Sequence, residues 1–142
     1  MIPTSHLHPM LVHFPIALIS FGFLAVFFTV IFRKKHYLPK TGYYLLLAGA
    51  AMALIALLSG VLFTSDLSGS AEAIREQHET FAWITLFLSI GTSIFWSFLK
   101  YRNQEGTNMK WIVLVLYSLA AISVSITGYL GGTLVYNYMM PI

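Results

Sequence analysis

The sequence predicts an all-α fold: a membrane-embedded bundle of four helices, built as two helical hairpins that repeat each other. Three observations predict it. The 142 residues are 58% hydrophobic and 9% charged, with mean hydropathy +0.77, whereas a soluble domain carries roughly 25% charged residues. Four apolar runs, 15–32, 43–63, 81–99 and 111–135, punctuate the chain. Each holds about 18–25 residues, and roughly 20 at ~1.5 Å rise cross a ~30 Å hydrocarbon core. The connections between runs are too short for a separate soluble domain. Helices are therefore expected at about 9–32, 42–63, 71–99 and 110–136, within a single domain covering 1–142.

The first helix opens on His-Leu-His-Pro-Met-Leu-Val-His-Phe-Pro at 6–15. Pro9 suits the first helical position and makes His8 the cap. Pro15 removes one backbone bond and crowds the carbonyl of Leu11, so the sequence predicts a kink beside His13 or a helix that starts at Pro15. His8 and His13 are five apart and diverge by ~140° around a helix, so they cannot share a face. His13 lies deeper and precedes Phe14, which makes it the expected inward imidazole. The first connection follows with Arg33, Lys34, Lys35, His36 and Lys40, and His36 reads as a solvated loop residue.

In the second helix Gly49, Ala53, Ala56 and Gly60 recur at steps of 4, 3 and 4. That spacing puts them on one face, where small residues let helices approach closely in lipid. The second connection sets Asp66, Glu72, Glu76 and Glu79 against Arg75 alone. Ser70 is the expected cap of a helix starting at Ala71, with Arg75 in helical reach of Glu72 and Glu79. His78 stands where this acidic stretch meets Phe81 and Trp83. Lys100, Arg102 and Lys110 fill the third connection, and Ala121, Ser125, Gly128 and Gly132 form the small face of the fourth helix.

The basic first and third connections belong in the cytoplasm, with both termini outside. The net charge of +3 is thus a topology signal and does not argue for nucleic acid. The basic cluster follows the first apolar run instead of preceding it, which is not the order of a signal peptide. The chain has no Cys, which excludes disulfides, thiolate metal sites and a Cys-x-x-Cys-His haem attachment.

An internal repeat is also legible. His13 precedes Arg33 by 20 residues and His78 precedes Lys100 by 22. Both imidazoles are expected near the outer mouths of their helices. The separations His13 to Gly60 (47) and His78 to Gly128 (50) differ by about the extra length of the third connection. Each hairpin closes on a hydroxyl–glycine pair, Ser59-Gly60 and Thr127-Gly128.

Ionisable groups at membrane depth are expensive and by default functional. Two imidazoles on two helices, a glycine-lined slot and no Cys suit a non-covalent b-type haem. The expected axial ligands are His13 and His78. Gly60 and Gly128 would flank the ring, Phe14, Trp83 and Tyr129 would border it, and His8 would sit at the rim. The expected role is movement of single electrons at the outer face, as an electron-transfer protein more than an enzyme with its own substrate. The expected partners are the lipid bilayer, an outer-face cytochrome or other redox protein, and a quinone. Two alternatives stay open. One is a Zn or Cu site drawn from His6, His8, His13 and His78, with Glu79 or Met10 joining. The other is a non-catalytic accessory subunit of a redox complex. A hydrolase is disfavoured, because no Ser/His/Asp set or His-Glu-x-x-His run is present.

The motif His-Pro-Met-Leu-Val-His-Phe-Pro-Ile-Ala at 8–17, the His at 78 and Gly-Tyr-Leu-Gly-Gly-x-Leu-Val-Tyr at 128–136 resemble the DUF2231 family of small bacterial membrane proteins. The resemblance covers nearly the whole chain and carries His8, Pro9, His13 and Pro15 onto the family's first motif. It implies a multi-pass protein of the bacterial cytoplasmic membrane, and redox company, since some relatives look to be joined to cytochrome-type domains. Relatives tend to continue Val-Tyr-x-His-Gly after the fourth helix. This chain reads Val-Tyr-Asn-Tyr-Met, so the resemblance implies no imidazole there.

Overall fold

The computed structural model describes residues 7–32, 37–63, 69–106 and 108–138. Four helices account for most of them: α1 (Leu7–Ile31), α2 (Tyr37–Phe63), α3 (Ser70–Tyr101) and α4 (Met109–Asn137). All four are long and apolar enough to cross a membrane. In hydrocarbon every backbone polar group must be satisfied within its own segment, and the helix does this. The tightest packing is within the hairpins α1–α2 and α3–α4, and α1–α4 and α2–α3 close the bundle. α1 and α3 therefore face each other across the diagonal.

α1 is continuous through Pro15, where the sequence suggested a kink or a start. Losing one backbone bond costs less than exposing the groups of a broken helix to lipid. α2 begins at Tyr37 and takes Pro39 into its first turn, whose N–H groups have no intrahelical partner to lose. This start lies several residues ahead of the apolar run that marked the helix in the sequence. Gly69, at φ 67°, precedes α3, so Ser70 lies inside the helix and does not cap it. Arg75 pairs with Glu72 and, at 3.6 Å, with Glu79, as their spacing predicted.

The distribution of side chains is that of a membrane protein. Phe21, Leu58, Val61, Phe87, Ile94 and Ile122 are exposed around the perimeter, where lipid is their solvent. The buried face of α3 is instead rich in hydroxyls: Thr85, Ser89, Thr92 and Ser93. Each is satisfied locally or across the bundle. Ser89 donates to the Leu86 carbonyl at 3.0 Å, Ser93 to the Ser89 carbonyl at 2.7 Å, and Thr85 shares a 2.8 Å bond with Ser123 of α4.

Ile19, Leu46, Trp96, Tyr117 and Ala120 form the centre of the core. Tyr117 is fully buried and donates its hydroxyl to the Gly42 carbonyl at 3.2 Å. It fills the space beside Gly22, where a Cβ would collide with the Tyr117 oxygen. Leu46 of α2 and Tyr117 of α4 are both fully buried and occupy matching places in the two hairpins.

Candidate functional site

The buried face of α1 carries Pro15, Ile19, Gly22 and Val26 at steps of 4, 3 and 4. One heptad before Pro15 on that face is His8. The buried face of α3 carries Thr85, Ser89, Thr92 and Trp96 in the same rhythm, and one heptad before Thr85 is His78. The two imidazoles meet across the bundle diagonal. Their ring centroids are 6.3 Å apart and their planes stand at 90°.

Each ring is fixed by the partner helix of its own hairpin. His8 Nδ1 lies 3.1 Å from the Ala56 carbonyl and 2.9 Å from Ser59 Oγ. His78 Nδ1 lies 2.9 Å from the Thr127 carbonyl. A carbonyl only accepts, so both Nδ1 atoms carry the proton and donate it. Ser59 gives its own hydroxyl proton to the Ala56 carbonyl at 2.7 Å, leaving its oxygen to accept from His8. The Nε2 atoms are left with the lone pairs. Metal-binding histidines are held in this way, the second ring nitrogen donating to a carbonyl that sets tautomer and orientation. A metal takes each imidazole nitrogen at ~2.0–2.1 Å, and the centroid separation suits one ion shared by the two rings.

Glycines let the rings sit this close to α2 and α4. A Cβ on Gly60 would stand 3.0 Å from His8 Cε1, and one on Gly131 3.1 Å from His78 Cε1. The two halves correspond closely in sequence. His8 bonds a carbonyl 48 residues on and His78 one 49 residues on. The repeat is therefore real but runs in a different register from the one expected of His13 and Gly128, pairing His8 with His78 and Gly60 with Gly131.

The other expected site residues lie elsewhere. His13 is exposed, and its Nδ1 donates to the Pro9 carbonyl one turn back at 2.6 Å. The structure thus brings His8, and not His13, to His78. Helix phase decides this: His13 is two residues from buried Pro15, ~200° around the helix. Gly128 faces Ile16, whose Cδ1 would be 3.0 Å from an added Cβ, and so serves contact between α1 and α4. Phe14, Trp83 and Tyr129 are exposed on the perimeter, with Trp83 stacked on Phe87 at 5.6 Å. They point away from the imidazole pair. Met10 is also exposed, and Glu79 is engaged with Arg75. His6 and His36 lie outside the described residues. Among the described residues no group of three or more His, Cys, Asp or Glu could hold a metal ion. Sequence reasoning missed Gly131; it read Ala56 only as part of a small packing face, and Ser59 and Thr127 only as the hydroxyl partners of the repeat's glycine pairs.

The sequence matches the model of the predicted membrane protein family DUF2231 over residues 4–141. The chain belongs to this family. No curated protein and no solved structure matches it. Of the two histidines in the opening motif that carries the DUF2231 resemblance, His8 enters the bundle and His13 stays at its surface.

Proposed function

We propose that the chain is a b-type haem protein of the membrane, in which His8 and His78 would hold the iron, and that it moves single electrons at the outer face of the cytoplasmic membrane. One observation carries the reading. Two imidazoles from different hairpins stand with ring centroids 6.3 Å apart, and the Nδ1–H bonds to backbone carbonyls leave the Nε2 lone pair of each ring for another partner. The donor set fits this centre. A haem iron brings its ring nitrogens with it and asks the protein for two axial ligands. Zn or Cu(II) asks for three or four protein donors, and the described residues offer two.

When bound, the group would supply one-electron chemistry, and two imidazole ligands leave it no open position for a substrate. The chain's own contributions are orientation and spacing. The carbonyls of Ala56 and Thr127 hold the rings in one tautomer, Ser59 fixes His8 from a second direction, and Gly60 and Gly131 set how far each ring stands from its backbone. The basic first and third connections support placing the imidazole end outside. A cytochrome-like acceptor at that face and a quinone donor are the partners this role implies.

The test is a reduced-minus-oxidised absorption spectrum of protein purified after expression with haem in excess. Wild type and His13→Ala should show sharp low-spin bands, which His8→Ala and His78→Ala should lose. A colourless wild type carrying zinc or copper would replace haem with a bare metal site, completed by water or by His6.

A further inference from the structure

At the end of the bundle opposite the imidazole pair, a cavity of about 410 Å³ opens between all four helices. Its volume lies within the usual range of small-ligand sites. The floor is apolar and buried: Val26, Trp96, Leu99 and Val113 are each no more than 9% exposed. The rim is basic, with Lys40 from α2, Lys100 from α3 and Lys110 from α4. A single carboxylate, Glu105, lies among them, and it is already in use. It accepts from Trp96 Nε1 at 3.2 Å and pairs with Lys100 at 3.2 Å. Among the described residues Lys40 and Lys110 have no carboxylate partner. An apolar floor beneath two uncompensated ammonium groups calls for a ligand that is both anionic and greasy.

We propose that this cavity holds one anionic phospholipid, with its phosphate between Lys40 and Lys110 and an acyl chain over Val26, Trp96 and Val113. Basic pockets between membrane helices recognise lipid head groups in this way, and each lysine near the surface contributes about five-fold in affinity. The lysine-rich connections mark the same end as the one facing the anionic leaflet. The site is independent of the imidazole pair.

Trp96 reports occupancy, because it is 6% exposed and only a chain inside the cavity can touch it. The chain has three Trp; Trp83 on the perimeter is removed by Trp83→Phe, and half-exposed Trp111, which lines the mouth of the cavity, by the size-conserving Trp111→Phe. The protein is placed in phosphatidylcholine vesicles containing a small fraction of phosphatidylglycerol brominated on one acyl chain. Brominated phosphatidylglycerol should quench Trp96 at a mole fraction at least about five-fold lower than brominated phosphatidylcholine. Lys40→Gln with Lys110→Gln should abolish that preference, and Lys40→Arg with Lys110→Arg should retain it. Equal quenching by both lipids overturns the proposal, as does a preference that survives the double Gln change. Displacement by millimolar inorganic phosphate would make phosphate alone the ligand and overturn the lipid assignment.

Discussion

Replacing Gly60 or Gly131 with Ala perturbs the seats of the two imidazoles without touching either ring. The added Cβ would stand 3.0 Å from His8 Cε1 and 3.4 Å from His8 Nδ1, or 3.1 Å and 3.4 Å from the same atoms of His78. Carbon atoms rest at about 3.5–4.0 Å, so each ring must retreat by roughly 0.4–0.5 Å. Metal–ligand distances tolerate about ±0.2 Å, which is less than this retreat. The rings also cannot slide freely. His8 is tied at 3.1 Å and 2.9 Å and His78 at 2.9 Å, and N–H···O bonds weaken beyond about 3.2 Å. Disturbing the partners that orient a ligand costs about 10–100-fold in affinity, or about 1.4–2.7 kcal/mol. Gly60→Ala and Gly131→Ala should each weaken haem binding by that factor when the haem-free protein is titrated in detergent. Gly128→Ala is the control, because its Cβ would meet only the free end of Ile16, which can rotate away. Weakening by Gly128→Ala as large as that by Gly131→Ala would refute the pairing of Gly131 with His78, as would an unaffected Gly131→Ala.

Gly22→Ala should destabilise the bundle by about 1–3 kcal/mol or more, since its Cβ collides with the Tyr117 hydroxyl and stands 2.9 Å from Leu45 Cβ. Tyr117→Phe alone should cost about 0.5–1.5 kcal/mol for the lost bond to Gly42. Together the two changes should cost less than their sum in thermal unfolding followed by circular dichroism, because the colliding oxygen is gone. Single cysteines at Gln77 and Gln104 report orientation: an impermeant thiol reagent applied to cells should label Gln77→Cys and spare Gln104→Cys. The reverse pattern would put the imidazole end in the cytoplasm. Acidification should release the bound centre, since protons compete for the Nε2 lone pairs, and a spectrophotometric titration of His13→Ala should superimpose on that of wild type.

The four spans were legible because apolar run length is set by bilayer thickness, and the Arg75 pairs were legible because helical spacing is local. The imidazole pair was only half legible. Depth favoured His13, but helix phase decides which side chain enters the bundle. The buried series Pro15, Ile19, Gly22 and Val26 runs back to His8 by a single heptad step. Counting from exposed His13 instead of inward-facing His8 displaces the repeat, so that Gly128 stands in the place of Gly131. Measured from His8 and His78, the two glycines fall 52 and 53 residues downstream, a match already present in the chain. The aromatic residues near the site misled for a different reason. In water Phe14, Trp83 and Tyr129 would seek an interior, whereas in lipid the perimeter satisfies them. The hydroxyl face of α3 went unread because scattered Ser and Thr in an apolar run look like noise until the neighbouring helix is in place.

Electron paramagnetic resonance of the haem-loaded ferric protein tests most directly the proposal that His8 and His78 would share one iron. Each imidazole donates π density along one direction set by its ring plane. If the planes keep their 90° relation when haem is bound, the two rings would act equally on two iron d orbitals, whereas parallel rings would split them. The predicted spectrum is a single, strongly anisotropic low-spin signal in wild type and His13→Ala, lost in His8→Ala and His78→Ala. A rhombic low-spin signal, or a low-spin signal that survives in His8→Ala, would contradict the claim.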